Sequence, residues 1–261
     1  MNVLTPRSLR EALELKAAHP DALPIQGGTD VMVAFNFDRA RPQTVLNLNE
    51  VGELRGWREE DGALRLGAGL TYAEAMRGEL AVRLPALAEA SRTVGSPQIR
   101  NRGTIGGNLA TSSPAGDALP PLHIEGAEVE CVSERGSRRL PLGEFVTGVK
   151  RNALAPDELI AAVWVAPSRR PQTFMKIGPR NAMVIAVVSL ALSAGEELRA
   201  SFGSAGPRPV LVTAPRSDAA GFAERVAAAA SPIDDVRGSA AYRRHGLRVL
   251  AERALERTLA V

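Results

Sequence analysis

The segment Ile99 to Ser112 reads Ile-Arg-Asn-Arg-Gly-Thr-Ile-Gly-Gly-Asn-Leu-Ala-Thr-Ser, and no other stretch narrows the fold of this 261-residue chain so sharply. Glycine, threonine and asparagine around a central isoleucine bury little apolar area, so the segment predicts a loop whose backbone meets a ligand. Gly103, Gly106 and Gly107 can take positive φ or admit another group close to the main chain. Thr104, Asn108, Thr111 and Ser112 add neutral hydrogen-bonding groups beside them. Such a loop can wrap an anion such as a pyrophosphate with amide N–H groups.

A second segment of this kind lies upstream. Leu23-Pro24-Ile25 reads as a short apolar strand, Gln26-Gly27-Gly28-Thr29-Asp30 follows as a turn, and Val31 to Phe35 resumes an apolar run. Strand, glycine turn and helix start place free N–H groups at a helix N-terminus. Either segment alone is also consistent with an ordinary tight turn. Two together are what a dinucleotide pyrophosphate held from both sides requires.

The chain is long enough for two or three lobes. Charge is nearly balanced, with 32 Lys and Arg against 29 Asp and Glu. Two tryptophans, two tyrosines and six phenylalanines leave no basic stretch interleaved with aromatics, which argues against a nucleic-acid partner. The longest apolar run, Ala182 to Ala194, is too short for a membrane span and is interrupted by Ser189. The N-terminus, Met1 to Pro6, carries no secretory pattern, so the expected location is the cytoplasm. With Cys131 as the single cysteine, this chain offers no internal disulfide, iron-sulfur cluster or Cys-rich zinc site, and Cys131 fits a buried strand position. His19, His123 and His245 are scattered without metal-ligand spacing.

Ser8 to Glu11 fits a capping box for a helix ending at His19-Pro20, and Thr71 to Glu74 fits a second. Strands are predicted at Leu23–Ile25, Thr44–Leu48, Leu64–Leu66, Glu128–Val132, Leu159–Val165 and Phe174–Ile177. The prolines of Pro167 to Pro171 mark a lobe boundary. Beyond it, Val184–Leu192 reads as a buried strand paired with Leu198–Gly203, and Ala219–Ala230 and Ser239–Ala260 read as helices. Strands followed by helices suggest a separate α+β domain. Gly67-Ala68-Gly69 lacks the third glycine of a Rossmann fingerprint, and neither a P-loop nor a Gly-x-Ser-x-Gly elbow occurs.

The two glycine segments, the second continued by Ser113-Pro114-Ala115-Gly116-Asp117, resemble the FAD-binding medium subunit of molybdenum hydroxylases. Carbon monoxide dehydrogenase and the flavin domain of xanthine dehydrogenase share this family. Phe174 to Arg180, Gly206 to Pro209 and Asp235 to Arg243 extend the resemblance along the chain. It implies an α+β fold: a two-lobed FAD-binding domain of the vanillyl-alcohol-oxidase/PCMH-like type, lobes 1–57 and 58–167, then a C-terminal domain of antiparallel sheet and helices, 171–261. Carried residue by residue, it implies FAD contacts from Pro24, Ile25, Gln26, Gly27, Gly28, Thr29, Asp30 and Val31 on one side. Thr104, Ile105, Gly106, Gly107 and Asn108 would act from the other, Asp117 would receive hydrogen bonds from the adenosine half, and Ile160 and Lys176 would lie near the rings. The FAD is expected to be non-covalent, because neither glycine segment holds a His, Cys or Tyr to attach it.

The implied role is electron transfer within a heterotrimer, with 2Fe-2S clusters on a small partner subunit, molybdopterin on a large one, and no catalytic residue on this chain. Alternatives are a stand-alone FAD-dependent reductase of the wider family and a flavin-free scaffold subunit. Val184 stands where many members carry aspartate near the flavin, which leaves the acceptor open among NAD, quinone and oxygen.

Overall fold

Short strands punctuated by proline and glycine do not make one long sheet, and in the computed structural model they build three principal ones. The structure describes residues 1–166 and 168–260; Pro167, the expected end of the second lobe, and Val261 lie outside the described residues.

The first sheet is parallel. It comprises β1 (Asn2–Leu4), β2 (Leu23–Ile25) and β3 (Thr44–Asn47) in the order β1-β3-β2, with α1 (Leu9–Ala18) and α2 (Val31–Asn36) as the connections. Ser8 caps α1 by accepting from the Glu11 amide, but the Glu11 carboxylate reaches back to the Arg7 amide rather than to Ser8, so the predicted capping box is only half formed. No residue of α2 is buried.

The second sheet is antiparallel, ordered β4-β5-β10-β6-β7, from β4 (Trp57–Glu60), β5 (Ala63–Gly67), β6 (Glu128–Ser133), β7 (Gly136–Pro141) and β10 (Leu159–Val165). The apolar β10 is buried along its whole length at the centre, while the charged β4 and β7 take the edges, where polar side chains discourage further pairing. Between β5 and β6 run α3 (Tyr72–Ala75), α4 (Gly78–Arg83), α5 (Pro85–Thr93), α6 (Pro97–Arg102), α7 (Ile105–Thr111) and α8 (Leu119–Ile124). The Thr71–Glu74 capping box is complete. After β7 come α9 (Leu142–Phe145) and a small ribbon of β8 (Val146–Gly148) and β9 (Arg151–Asn152). One hydrophobic cluster runs through both sheets, including Leu46, Leu54, Leu66, Leu109 and Val163.

The third sheet is an antiparallel meander of β11 (Gln172–Ile177), β12 (Val188–Ala194), β13 (Glu197–Gly203) and β14 (Val210–Pro215). Helices α10 (Phe222–Ala228) and α11 (Ala240–Leu259) form its own core with Leu190, Phe202 and Leu250. Helices α5 and α8 also pack against this sheet, through Ala86, Ala90, Ile124, Phe174 and Ala191. The strand expected from Val184 begins only at Val188; the Val187 amide still donates to the Ile177 carbonyl of β11, but Val184 to Ala186 leave the sheet and run toward the cleft.

Candidate functional site

The segment Ile99–Ser112 is not a loop. It forms the end of α6, a two-residue link and α7, with Thr104 as N-cap accepting from the Gly107 amide at 3.0 Å. Gly103, Gly106 and Gly107 all have ordinary negative φ. What Gly106 requires is space: a Cβ there would stand 2.6 Å from both the Cβ and the carbonyl oxygen of Ala68, so α7 rests directly on the end of β5. The expectation that this segment takes no part in core packing is therefore corrected, since Ile105, Gly106 and Leu109 are buried.

The first-turn amides of α7 are also spent within the protein. Ile105 donates to the Leu70 carbonyl (2.9 Å), Gly106 to that of Ala68 (2.8 Å), Gly107 to the Thr104 hydroxyl and Asn108 to the Thr104 carbonyl. The other glycine segment differs. Gly28 has φ +72°, a conformation that favours glycine, and the amides of Gly27, Gly28, Thr29 and Asp30 have no acceptor among the described residues. Gly27 to Asp30 thus offer amides without a protein acceptor among the described residues, while α7 and its N-cap bring Thr104, Gly106, Gly107 and Asn108 to the same cleft.

The two segments meet backbone to backbone. A Cβ on Gly27 would lie 2.1 Å from the Arg102 carbonyl oxygen, and Arg102 Nη2 donates back to the Gln26 carbonyl (3.3 Å) and to Asn49 Oδ1 (3.0 Å). Beside this seam opens a cleft of about 720 Å³, within the range that holds a large cofactor.

Pro24 to Val31, Thr104, Gly106, Gly107, Asn108, Asp117 and Ile160 line the cleft. Ile160 reaches it from β10 beside a bulge at Ala161 that breaks the strand's alternation. Two predicted residues do not line it. The Ile105 side chain is fully buried in the lobe core. Lys176 lies behind Asp117, its Nζ 2.7 Å from Asp117 Oδ2 and donating as well to the carbonyls of Thr93 (3.1 Å) and Val184 (3.2 Å).

Sequence reasoning missed Tyr72, Val94, Ile99, Asn152, Leu154, Leu159 and Ile185, which complete the walls. Ile99 opens the glycine segment that runs to Ser112 and Tyr72 lies within the Thr71–Glu74 capping box, but neither pattern assigns its residue to the site; the others sit in no motif, and the set comes together through the packing of α3, α5, α6, β9 and β10.

Polar atoms of the cleft point to a ligand rich in hydrogen-bonding groups. Asn108 Oδ1 and Asp117 Oδ1 are buried without a partner among the described residues, an arrangement that costs stability unless a ligand supplies donors. Burial raises the Asp117 carboxyl above its ordinary range, against the pull of Lys176. Burial likewise raises the Tyr72 phenol. Glu158, by contrast, is lowered by its paired hydrogen bonds with Arg138 and also accepts from the Ala155 amide. Free amides, orphaned acceptors and apolar walls from Leu154, Ile160, Val184 and Ile185 in one cleft fit a dinucleotide carrying a diphosphate, hydroxyls and a flat ring.

Comparison with known proteins agrees with this geometry. A family model described as the FAD binding domain in molybdopterin dehydrogenase matches residues 1–167. The chain is 34% identical to the xanthine dehydrogenase FAD-binding subunit of Escherichia coli O157:H7, over 78% of this chain and 73% of that protein. It is 32% identical to the carbon monoxide dehydrogenase medium chain of Afipia carboxidovorans, over 98% of this chain and 95% of that one. Among solved structures, reconstituted CO dehydrogenase from Oligotropha carboxidovorans superposes with a TM-score of 0.93 at 25% identity, covering 100% of this chain and 98% of the other.

Proposed function

Because the chain belongs to the family of FAD-binding domains of molybdopterin dehydrogenases, as a medium-type subunit, we propose that it is the electron exit of a three-component molybdenum hydroxylase. Substrate is oxidised with water at a molybdopterin site on a large subunit, and electrons travel through 2Fe-2S clusters on a small subunit to this chain and then to an external acceptor. FAD, when bound, accepts electrons one at a time and releases them as a pair. The observation that carries the reading is the pairing of unspent amides at Gly27–Asp30 with the orphaned oxygens of Asn108 and Asp117 across one cleft.

Each part of the chain has a defined task in this reading. The Gly27–Asp30 amides hold the diphosphate, Asn108 and Asp117 accept from hydroxyl or amino groups, and the apolar wall keeps water from the ring. Of the three carboxylates lining the cleft, Asp117 Oδ2 is committed to Lys176 and Glu158 to Arg138, while Asp30 stands at the start of α2. The two ion-paired carboxylates are held as structural partners, which suits a subunit that orients a redox group and leaves substrate chemistry to its partners. No helix among the described residues is long and apolar enough to cross a membrane.

The test uses the purified chain alone and after addition of an iron-sulfur and a molybdopterin subunit. Acid precipitation should release all yellow colour into the supernatant. Stopped-flow absorbance should show bleaching by a purine, an aldehyde or carbon monoxide only with all three subunits present. Rapid bleaching of the isolated chain would instead establish a stand-alone reductase, and a colourless chain that takes up no FAD a scaffold.

A further inference from the structure

Residues Val184 to Val187 connect the C-terminal sheet to the cleft, and three cations hold successive parts of that segment by its carbonyls. Lys176 Nζ donates to the Val184 carbonyl (3.2 Å), Arg237 Nη1 to that of Ala186 (3.5 Å) and Arg243 Nη1 to that of Val187 (2.6 Å). Val184 and Ile185 line the cleft, and Ile185 is 63% exposed at its mouth. Strand pairing does not hold these two residues, because β12 starts only at Val188.

The cations are themselves anchored from the far side. Lys176, its side chain 4% exposed, is fixed by Asp117 and the Thr93 carbonyl, both in the second lobe. Arg237 and Arg243 converge on one carboxylate, Asp235. Partial burial opposes ionisation of Asp235, but bonds from the Arg237 amide and guanidinium and from Arg243 hold its carboxyl down at about 2. Gly178 completes the seat: a Cβ there would lie 2.5 Å from Val184 Cγ2, so the valine packs where a side chain would otherwise stand.

We propose that Lys176, Arg237 and Arg243 are positioning residues that fix Val184–Val187 as a wall of the cleft, each through a different carbonyl, and so set how far solvent reaches the bound cofactor. At its far end the Val187 amide donates to the Ile177 carbonyl (2.9 Å); from there to Val184 the fixed charges act on carbonyls and leave the side chains of Val184 and Ile185 turned to the cleft. A charged donor makes a stronger hydrogen bond than a neutral one, which suits a segment whose first three residues, Val184 to Ala186, lie outside the sheet. The inference rests on the proposed FAD site for its consequence, though not for its geometry.

Two readouts test it. In the apo chain, trypsin cuts after the exposed Arg180, on the same connection, and mass spectrometry follows that one cleavage. In the FAD-loaded chain, iodide quenching of flavin fluorescence reports solvent access. Arg237→Ala, whose side chain is partly exposed and whose loss leaves Asp235 paired with Arg243, should speed the Arg180 cut severalfold and at least double the quenching constant. Arg237→Lys should restore most of both, and Lys176→Met should exceed Arg237→Ala. If Lys176→Met fails to fold, the Arg237 pair decides. Wild-type cleavage and quenching in Arg237→Ala would overturn the inference. Failure of the wild-type chain to bind FAD would overturn the proposed function instead, and the tryptic comparison would still read the segment.

Discussion

Gly106 and Gly107 are neighbours in one motif, yet the structure gives them opposite tasks, and a single methyl group separates the two. At Gly106 the new Cβ would overlap the Cβ and carbonyl oxygen of Ala68 at 2.6 Å and the Ala68 Cα at 2.9 Å. Backbone cannot yield as a flexible side chain does, so α7 must shift away from β5. Overpacking of this kind costs about 1–3 kcal/mol. The same shift weakens the 2.8 Å bond from the Gly106 amide to Ala68, worth about 0.5–1.5 kcal/mol more. Alanine's better helix propensity returns about 1 kcal/mol, so Gly106→Ala should destabilise the apo chain by about 1–3 kcal/mol, a fall in Tm of roughly 3–10 °C. At Gly107 the methyl meets only the Thr104 hydroxyl, at 2.9 Å. Helix propensity favours Ala over Gly by about 1 kcal/mol. That gain offsets most of a weakened Thr104 cap, worth about 1 kcal/mol. Gly107→Ala should keep its Tm within about 3 °C. With a methyl on the cleft wall, it should lose FAD affinity about tenfold, or about 1.4 kcal/mol. Differential scanning fluorimetry of the apo proteins and FAD titration by fluorescence separate the two effects. A Gly106→Ala chain that melts with the wild type would refute the packing argument.

Two further outcomes concern the junction with the C-terminal sheet. His123 on α8, its Nδ1 3.1 Å from Ser201 Oγ, is pushed down to about 4 by burial and by Arg199. It stays neutral in the folded chain while the unfolded chain takes up a proton below about 6.5, so its contribution is whole above that pH and is lost as pH falls toward 4. Urea unfolding should show up to about 3 kcal/mol lost over that window through this group, with His123→Gln flattening the slope; an unchanged slope would contradict the assignment. Glu89 accepts from the Thr173 hydroxyl (2.8 Å), the Phe174 amide (2.7 Å) and Arg257 (2.8 Å), tying α5 to β11 and α11. Glu89→Ala leaves a buried amide without an acceptor and should cost about 1–3 kcal/mol by urea unfolding, whereas a loss below about 0.5 kcal/mol would show the contact to be dispensable.

What the sequence made legible was local. Thr71 and Glu74 act on each other three residues apart, and β6, β10 and β13 carry runs that declare themselves within seven residues. Glycine chemistry singled out two segments that meet at one cleft, but composition alone could not say that Gly106 also packs against Ala68, 38 positions upstream. The same holds for Lys176, whose partner Asp117 is 59 residues away, and for Val184, whose apolar context reads as strand until the sheet is seen to begin four residues later. Motif reasoning finds residues that act near their neighbours in the chain. The walls of the cleft are set by tertiary packing, and no local pattern encodes them.

Cys131 turns the wall of the cleft into something that can be measured directly. It is fully buried in β6, and burial, with Glu158 and Glu130 nearby, pushes its thiol up to about 11. Since the thiolate is the form that reacts, this lone cysteine should resist alkylation at neutral pH. A thiol introduced at the exposed Met32 or Ile185 would then be the single reactive position on the chain, with no native cysteine to remove beforehand. Spin labels at both would form a ruler between α2, whose first residue Val31 lines the cleft, and the Val184–Val187 segment, reading in ångströms how far the two separate as cofactor and partner subunits arrive.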